Sequence, residues 1–201
     1  MQELMIDFIV SLDGHGESEG WPGFWGLQGP EYLAWLEQQP PTDYVTLMGA
    51  KTYRLMSGMA VKAQAGELAV GPDEEASLAT LAQMPMVVFS ATLDEPLVWP
   101  KARLERRDAV EAVAELKRES ELPLRTLGSV TMARSLLSAG LVDRLRLVVF
   151  PVITGKTGQR RVFDDYPDVA LELVDSRLFD GRLQLLEYVP TVLEGPPSAT
   201  R

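Results

Sequence analysis

The sequence predicts an α/β fold, a mainly parallel central sheet flanked by helices with a C-terminal antiparallel hairpin. Three observations carry that expectation. Short apolar runs alternate with helix-period segments, the pattern of parallel strands joined by crossover helices. Two strand-like runs end in a glycine that opens at once into a helix, at Gly49 and Gly128. Near the C-terminal end, two longer strand-like segments flank Asp180-Gly181, a two-residue hairpin signal.

The elements follow in order. Leu4 to Val10 is apolar except for Asp7 and reads as a buried strand. A polar, glycine-rich loop then carries Trp21, Phe24 and Trp25. Large aromatics in such a loop mean that it folds over the core or over a ligand. Pro30 suits the first turn of a helix whose apolar face is Tyr32, Leu33 and Leu36, stopped by Pro40-Pro41. Tyr44 to Met48 is a second strand, with a helical start at Ala50 to Tyr53. Over 57–84 the glycines and Pro72 suggest a loop and Glu74 to Gln83 a helix. Met86 to Phe89 is a third strand. Asp108, with Glu111 three residues on, resembles a capping box, and Ala109, Ala112, Val113 and Leu116 follow at helical spacing. Leu124 to Leu127 is a strand, Ser129 to Ala139 a helix closed by Gly140, and Arg144 to Phe150 a strand. Strands over 169–179 and 182–189 form the hairpin. The expectation is one domain over 1–190 and a disordered tail over 191–201.

Composition excludes several function classes. The 201 residues contain 19 basic and 29 acidic side chains, a formal net charge of −10, which repels nucleic-acid backbones. With no cysteine, disulfides, thiol catalysis and cysteine–metal sites are out. The single histidine, His15, leaves little for a histidine metal site, so no metal is expected. No apolar run is long enough to span a bilayer, and the first residues lack a basic leader. A cytoplasmic protein is therefore expected.

The chemistry is expected beyond the carboxyl ends of the strands, where open α/β sheets collect ligands. A helix start there offers free N–H groups and partial positive charge, and glycine lets a phosphate approach the backbone closely. Lys51, Thr52, Ser129 and Thr131 add side-chain donors at the two junctions. One such turn is more often only a tight turn. Two in one sheet, with a third strand ending in Ser90-Ala91-Thr92, point to a ligand with phosphates at separate points, such as a dinucleotide. Neither the G-x-G-x-x-G fingerprint nor a P-loop occurs.

Several pieces together carry a family resemblance. They are Ser11-Leu12-Asp13-Gly14, Met48-Gly49-Ala50-Lys51-Thr52-Tyr53, Phe89-Ser90-Ala91-Thr92-Leu93 and Leu127-Gly128-Ser129-Val130-Thr131-Met132, then Gly140 to Leu145 and Pro151 to Gly155. In this order and spacing, over about residues 4–189, the chain resembles the dihydrofolate reductase-like superfamily. The branch is similar to the reductase domain of the bifunctional riboflavin-biosynthesis deaminase-reductase. The resemblance implies NADPH-dependent reduction of a small heterocycle, most similar to that by 5-amino-6-(5-phosphoribosylamino)uracil reductase, and a homodimer. It implies that Gly49, Lys51 and Thr52, with Gly128, Ser129, Val130 and Thr131, receive the cofactor phosphates. Ser90, Ala91 and Thr92 lie near the adenosine 2′-phosphate, and Val152 to Gly155 near the nicotinamide. The chain departs from the family pattern at Ala50 and Ala91, where arginine is usual, and at Leu127, where the riboflavin-pathway reductases place a glutamate. NADH therefore stays open beside NADPH. Two alternatives stay open as well: a non-catalytic nucleotide-binding or dimerising protein on the same scaffold, and a pterin or dihydrofolate-type reductase.

Single residues leave two readings each. Asp13 is either a proton-relay carboxylate or an Asp-Gly turn bonded to its own backbone. Trp25 either walls a planar ring or pins its loop to the core, and Tyr53 belongs to either pocket or core. His15 is expected to be a solvated loop residue, and Arg103, Arg106 and Arg107 a solvated face.

Overall fold

The computed structural model describes residues 1–20, 23, 25–39, 43–67 and 78–196. Trp21, Phe24, Pro40, Pro41, Pro72, Glu74 and 197–201 lie outside the described residues. Eight strands form one sheet, in the order β5-β4-β3-β6-β1-β7-β10-β9. They are β1 (Leu4–Ser11), β3 (Val45–Gly49), β4 (Met86–Phe89), β5 (Ala102–Glu105), β6 (Leu124–Thr126), β7 (Arg144–Phe150), β9 (Val169–Phe179) and β10 (Leu183–Val192). Every pairing from β5 to β7 is parallel, and β10 runs antiparallel to both β7 and β9. A separate two-stranded ribbon pairs β2 (His15–Ser18) with β8 (Gly158–Arg161).

The alternation of side chains along β1 divides the core. Leu4, Ile6, Phe8 and Val10 point to one face, where they pack with Leu47, Leu124 and Leu147 under α4 (Ala109–Glu119) and α5 (Val130–Ser138). The opposite face carries two separate apolar clusters. One sets Tyr32 and Trp35 of α1 (Pro30–Glu37) on Val148, Phe150 and Leu185. The other sets Tyr53 and Ala60 of α2 (Ala50–Gln64) on Met48, Val88 and Trp99, together with helical residues 78–82, which we label α3.

Local chemistry explains the element ends. Asp108 Oδ1 accepts from the N–H groups of Val110 (2.9 Å) and Glu111 (3.3 Å), as its cap position requires. Asp180 and Gly181 both have positive φ (53° and 63°), and Arg182 N donates to Phe179 O at 2.9 Å, closing a type I′ hairpin turn. That turn does a second job. Gly29, the cap residue of α1, has no side chain, and the Asp180 carboxylate accepts instead from Glu31 N (3.0 Å) and Tyr32 N (3.2 Å). The hairpin thus caps the helix from elsewhere in the chain.

The structure corrects several sequence readings. Residues 191–192 are strand rather than tail: β10 extends to Val192, which pairs with Val169. Helix α2 runs on to Gln64 where a loop was expected, and α5 begins at Val130 because Ser129 is left-handed (φ 62°). Strands β2, β5 and β8 were not expected at all. His15 is not solvated; it is 7% exposed, inside β2. The arginine group is exposed, as expected, and its side chains are engaged as well. Arg103 lies in β5, and Arg107 pairs with Glu105 (2.8 Å) and Glu115 (2.5 Å). Among the described residues, no helix is long and apolar enough to cross a membrane.

Candidate active site at the strand-to-helix junctions

The two glycine junctions are neighbours. β3 and β6 pair directly in parallel, so Gly49 and Gly128 emerge side by side on one rim of the sheet. The Ser129 hydroxyl ties them together: it accepts from Gly49 N at 2.6 Å and lies 3.3 Å from Thr52 Oγ1. A cavity of about 330 Å³ opens between the helix starts, lined among others by Gly49, Lys51, Thr52, Ser129, Thr131 and Arg160. Val130, the first residue of α5, packs sideways on the core below.

Side chains at both junctions would have to be absent for this arrangement. A Cβ on Gly49 would stand 2.9 Å from Ser129 Oγ. Gly128 has φ +60°, and a Cβ there would meet Thr52 Oγ1 at 3.1 Å. The β2–β8 ribbon roofs the cavity. From it Glu17 reaches Lys51 Nζ at 2.9 Å, and Arg160 Nε lies 3.9 Å from the same oxygen.

The adjoining ends of β1 and β7 are clamped by Asp13. Its Oδ1 accepts from Ser11 Oγ (2.7 Å) and from Thr154 N (3.1 Å), and Gly155 lies against the same carboxylate. Leu12 N donates to Val152 O at 2.8 Å, a second tie between the two loops. The Ser11 and Thr154 hydrogen bonds hold Asp13 at a pKa of about 2. Near neutral pH it is a carboxylate with occupied acceptors. His15 Nδ1 stands 3.3 Å from its other oxygen, and Gly158 is bare where the imidazole lies: a Cβ there would be 2.6 Å from the ring.

The loop after β4 is shaped by its own serine: Ser90 Oγ accepts from Thr92 N (3.1 Å) and Leu93 N (3.0 Å). Two arginines from other elements reach it. Arg54 of α2 donates to Thr92 Oγ1 at 3.2 Å, and Arg106 donates to the carbonyls of Ala91 (3.4 Å) and Leu93 (3.0 Å). Sequence reasoning missed both, because neither is near residues 90–92 in the chain.

Tyr53 and Trp25 both pack against core residues. Tyr53 is 3% exposed, packs edge-on to Trp99, and its hydroxyl accepts from Val98 N at 2.8 Å. Trp25 lies 5.6 Å from the Phe150 ring and donates from Nε1 to Ser18 Oγ at 2.8 Å, pinning its loop to the core below α1.

Residues 2–185 match the RibD C-terminal domain. The chain belongs to that family. The curated protein "Uncharacterized protein YyaP" of Bacillus subtilis is 24% identical over 188 residues, covering 93% of this chain and 94% of that one. Among solved structures, a putative riboflavin biosynthesis protein from Shewanella sp. PV-4 superposes with a TM-score of 0.64 at 18% identity, covering 95% of this chain and 99% of the other. A diaminohydroxyphosphoribosylaminopyrimidine deaminase/5-amino-6-(5-phosphoribosylamino)uracil reductase from Thermotoga maritima superposes with the same score at 16% identity. The overlap covers 94% of this chain and 57% of that larger protein. These likenesses establish the dihydrofolate reductase-like fold. This member brings Arg54 and Arg106 to the β4 loop, around Ala91 and Thr92.

Proposed function

We propose that the protein is an NADPH-dependent reductase of a small heterocyclic substrate, most similar in activity to 5-amino-6-(5-phosphoribosylamino)uracil reductase. The observation that carries this reading is the shared cavity between the Gly49 and Gly128 junctions. Its donor set suits a phosphate group: hydroxyls of Thr52, Ser129 and Thr131, the cations Lys51 and Arg160, and glycine wherever a Cβ would intrude. When bound, the cofactor supplies a hydride from its nicotinamide. The chain's own residues do the rest. Thr52 and Ser129 orient the phosphates, and Lys51 turns from Glu17 to the incoming anion. Asp13 is a positioning residue: it fixes the Val152–Gly155 loop against the end of β1, where the nicotinamide is expected.

Arg54 and Arg106 support NADPH over NADH. They flank the loop expected to meet the 2′-phosphate, and guanidinium forks suit phosphate better than the ribose hydroxyl that NADH presents there. NADPH is expected to bind the wild type more tightly than NADH in a Trp fluorescence titration. Arg106→Ala should weaken NADPH roughly tenfold, about 1.4 kcal/mol, and leave NADH unchanged. An equal loss for both dinucleotides would remove the assignment, and no saturable binding of either would remove the reductase reading.

We also propose that a second copy of the chain covers β9. This edge strand exposes Leu171, Leu173, Val174 and Leu178, at 43–62% of their surface, along an 11-residue open edge. Sedimentation velocity should return a dimer for the wild type and a monomer for the Leu173→Lys, Leu178→Lys double variant. A monomeric wild type at micromolar concentration would contradict this.

A further inference from the structure

On the face of the sheet under α1 and α2, the two apolar clusters do not meet. Between them, over β6, β1 and β7, lies a charged strip. Asp7 Oδ2 accepts from Arg146 Nη2 at 2.8 Å and also pairs with Arg125 Nη2. Arg125 Nη1 donates to Tyr44 Oη at 3.0 Å, with its guanidinium 4.9 Å above that ring. Arg146 lies 4.9 Å over the ring of Trp35.

Two features of this strip are unfinished. Among the described residues, one carboxylate is paired with two guanidinium groups, which leaves one positive charge over in a place where burying a charge is costly. Arg146 is 5% exposed, and its Nε is buried with no hydrogen-bond partner among the described residues. An uncompensated charge and an empty N–H call for the same complement, a singly charged oxyanion.

The position of the strip sets what carries that oxyanion. Arg125 and Leu127, two residues apart, share a face of the chain, so the strip lies on the same side of the sheet as Leu127, the residue that leads into the Gly128 rim.

We propose that Arg125 and Arg146, braced by Asp7, recognise a planar heterocycle bearing a carboxylate. This inference rests on the reductase reading for the location of the reacting ring. A planar carboxylate matches the guanidinium fork, and a single negative charge matches the single positive charge left over. Leu127 supplies an apolar wall one rung above.

The test is calorimetric titration of orotate against uracil, and of pterin-6-carboxylate against pterin, with and without saturating NADPH. Uridine 5′-monophosphate serves as the phosphate-bearing comparison. At least one acid should bind tenfold or more tightly than its uncharged partner and more tightly than the nucleotide. Arg125→Met should abolish that preference without altering NADPH affinity, and Arg125→Lys should restore part of it. Arg125→Met leaves Asp7 paired with Arg146, and its melting curve checks the fold; should it unfold, Arg125→Lys decides alone by a reduced preference. Equal binding of acid and uncharged ring, binding of neither, tighter binding of the nucleotide, or an unchanged preference in the variant would overturn the proposal. NADPH titrated alone reports separately on the reductase reading, because the ring titrations are also run without it.

Discussion

Gly49→Val is expected to lower NADPH affinity at least a hundredfold, about 2.7 kcal/mol, in a protein that still folds. The backbone at Gly49 (φ −86°, ψ 162°) is ordinary extended geometry that valine adopts freely. What valine cannot do is share space with Ser129, whose hydroxyl would lie 2.9 Å from the new Cβ. The hydroxyl is displaced, and the two methyl groups occupy the phosphate end of the cavity. Gly128→Val is a poorer experiment. Its φ of +60° adds roughly 1–2 kcal/mol of backbone strain, so lost binding and lost stability would be confounded. Fluorescence titration beside a thermal melt separates the two effects for Gly49→Val. A folded variant with wild-type affinity would move the phosphate seat away from the junctions.

Asp7→Asn is expected to cost about 3–5 kcal/mol of stability at pH 7, lowering the melting temperature by on the order of 10 °C. An amide fills the same space but leaves buried Arg146 and part-buried Arg125 without the carboxylate they share. Burial pushes the Asp7 carboxyl up, but the charges of Arg125 and Arg146 outweigh it and hold the group below its ordinary value of 3.8. A group depressed on folding contributes stability that is full above its unfolded pKa and is lost as pH falls through the folded one. The gap between wild type and Asp7→Asn should therefore be widest above about pH 4.5 and narrow toward pH 3. Urea denaturation at pH 7 and pH 3 measures it. A loss under about 1 kcal/mol at pH 7 would mean that the strip does not need its carboxylate.

Much of the fold was legible in the sequence where one local signal sufficed. Continuous apolar runs marked the central strands, Asp108 marked its helix, and Asp180-Gly181 marked the hairpin. The two glycine junctions were legible as a pair, although nothing in the sequence said that β3 and β6 would be neighbours. The missed elements are short: His15–Ser18 and Gly158–Arg161 have neither an apolar run nor clean alternation, and Ala102–Glu105 alternates over only four residues, too few to stand out. Asp7 read as a blemish in a buried strand. Its meaning lies in arginines 118 and 139 positions away in the chain, brought beside it by strand order alone. Arg54 and Arg106 were unreadable for the same reason, and Tyr53 was ambiguous because an aromatic after a junction suits a core as well as a pocket.

The place of β1 has a consequence for how the chain is made. Both of its edges wait for β6 and β7, which follow it by more than a hundred residues. Helix α1 waits longer still, since the carboxylate that caps it belongs to Asp180. Closing such long loops is slow, because their entropy is lost before any contact repays it. Until those partners are made, β1 is an apolar strand with two open edges, the kind of surface that pairs with other chains.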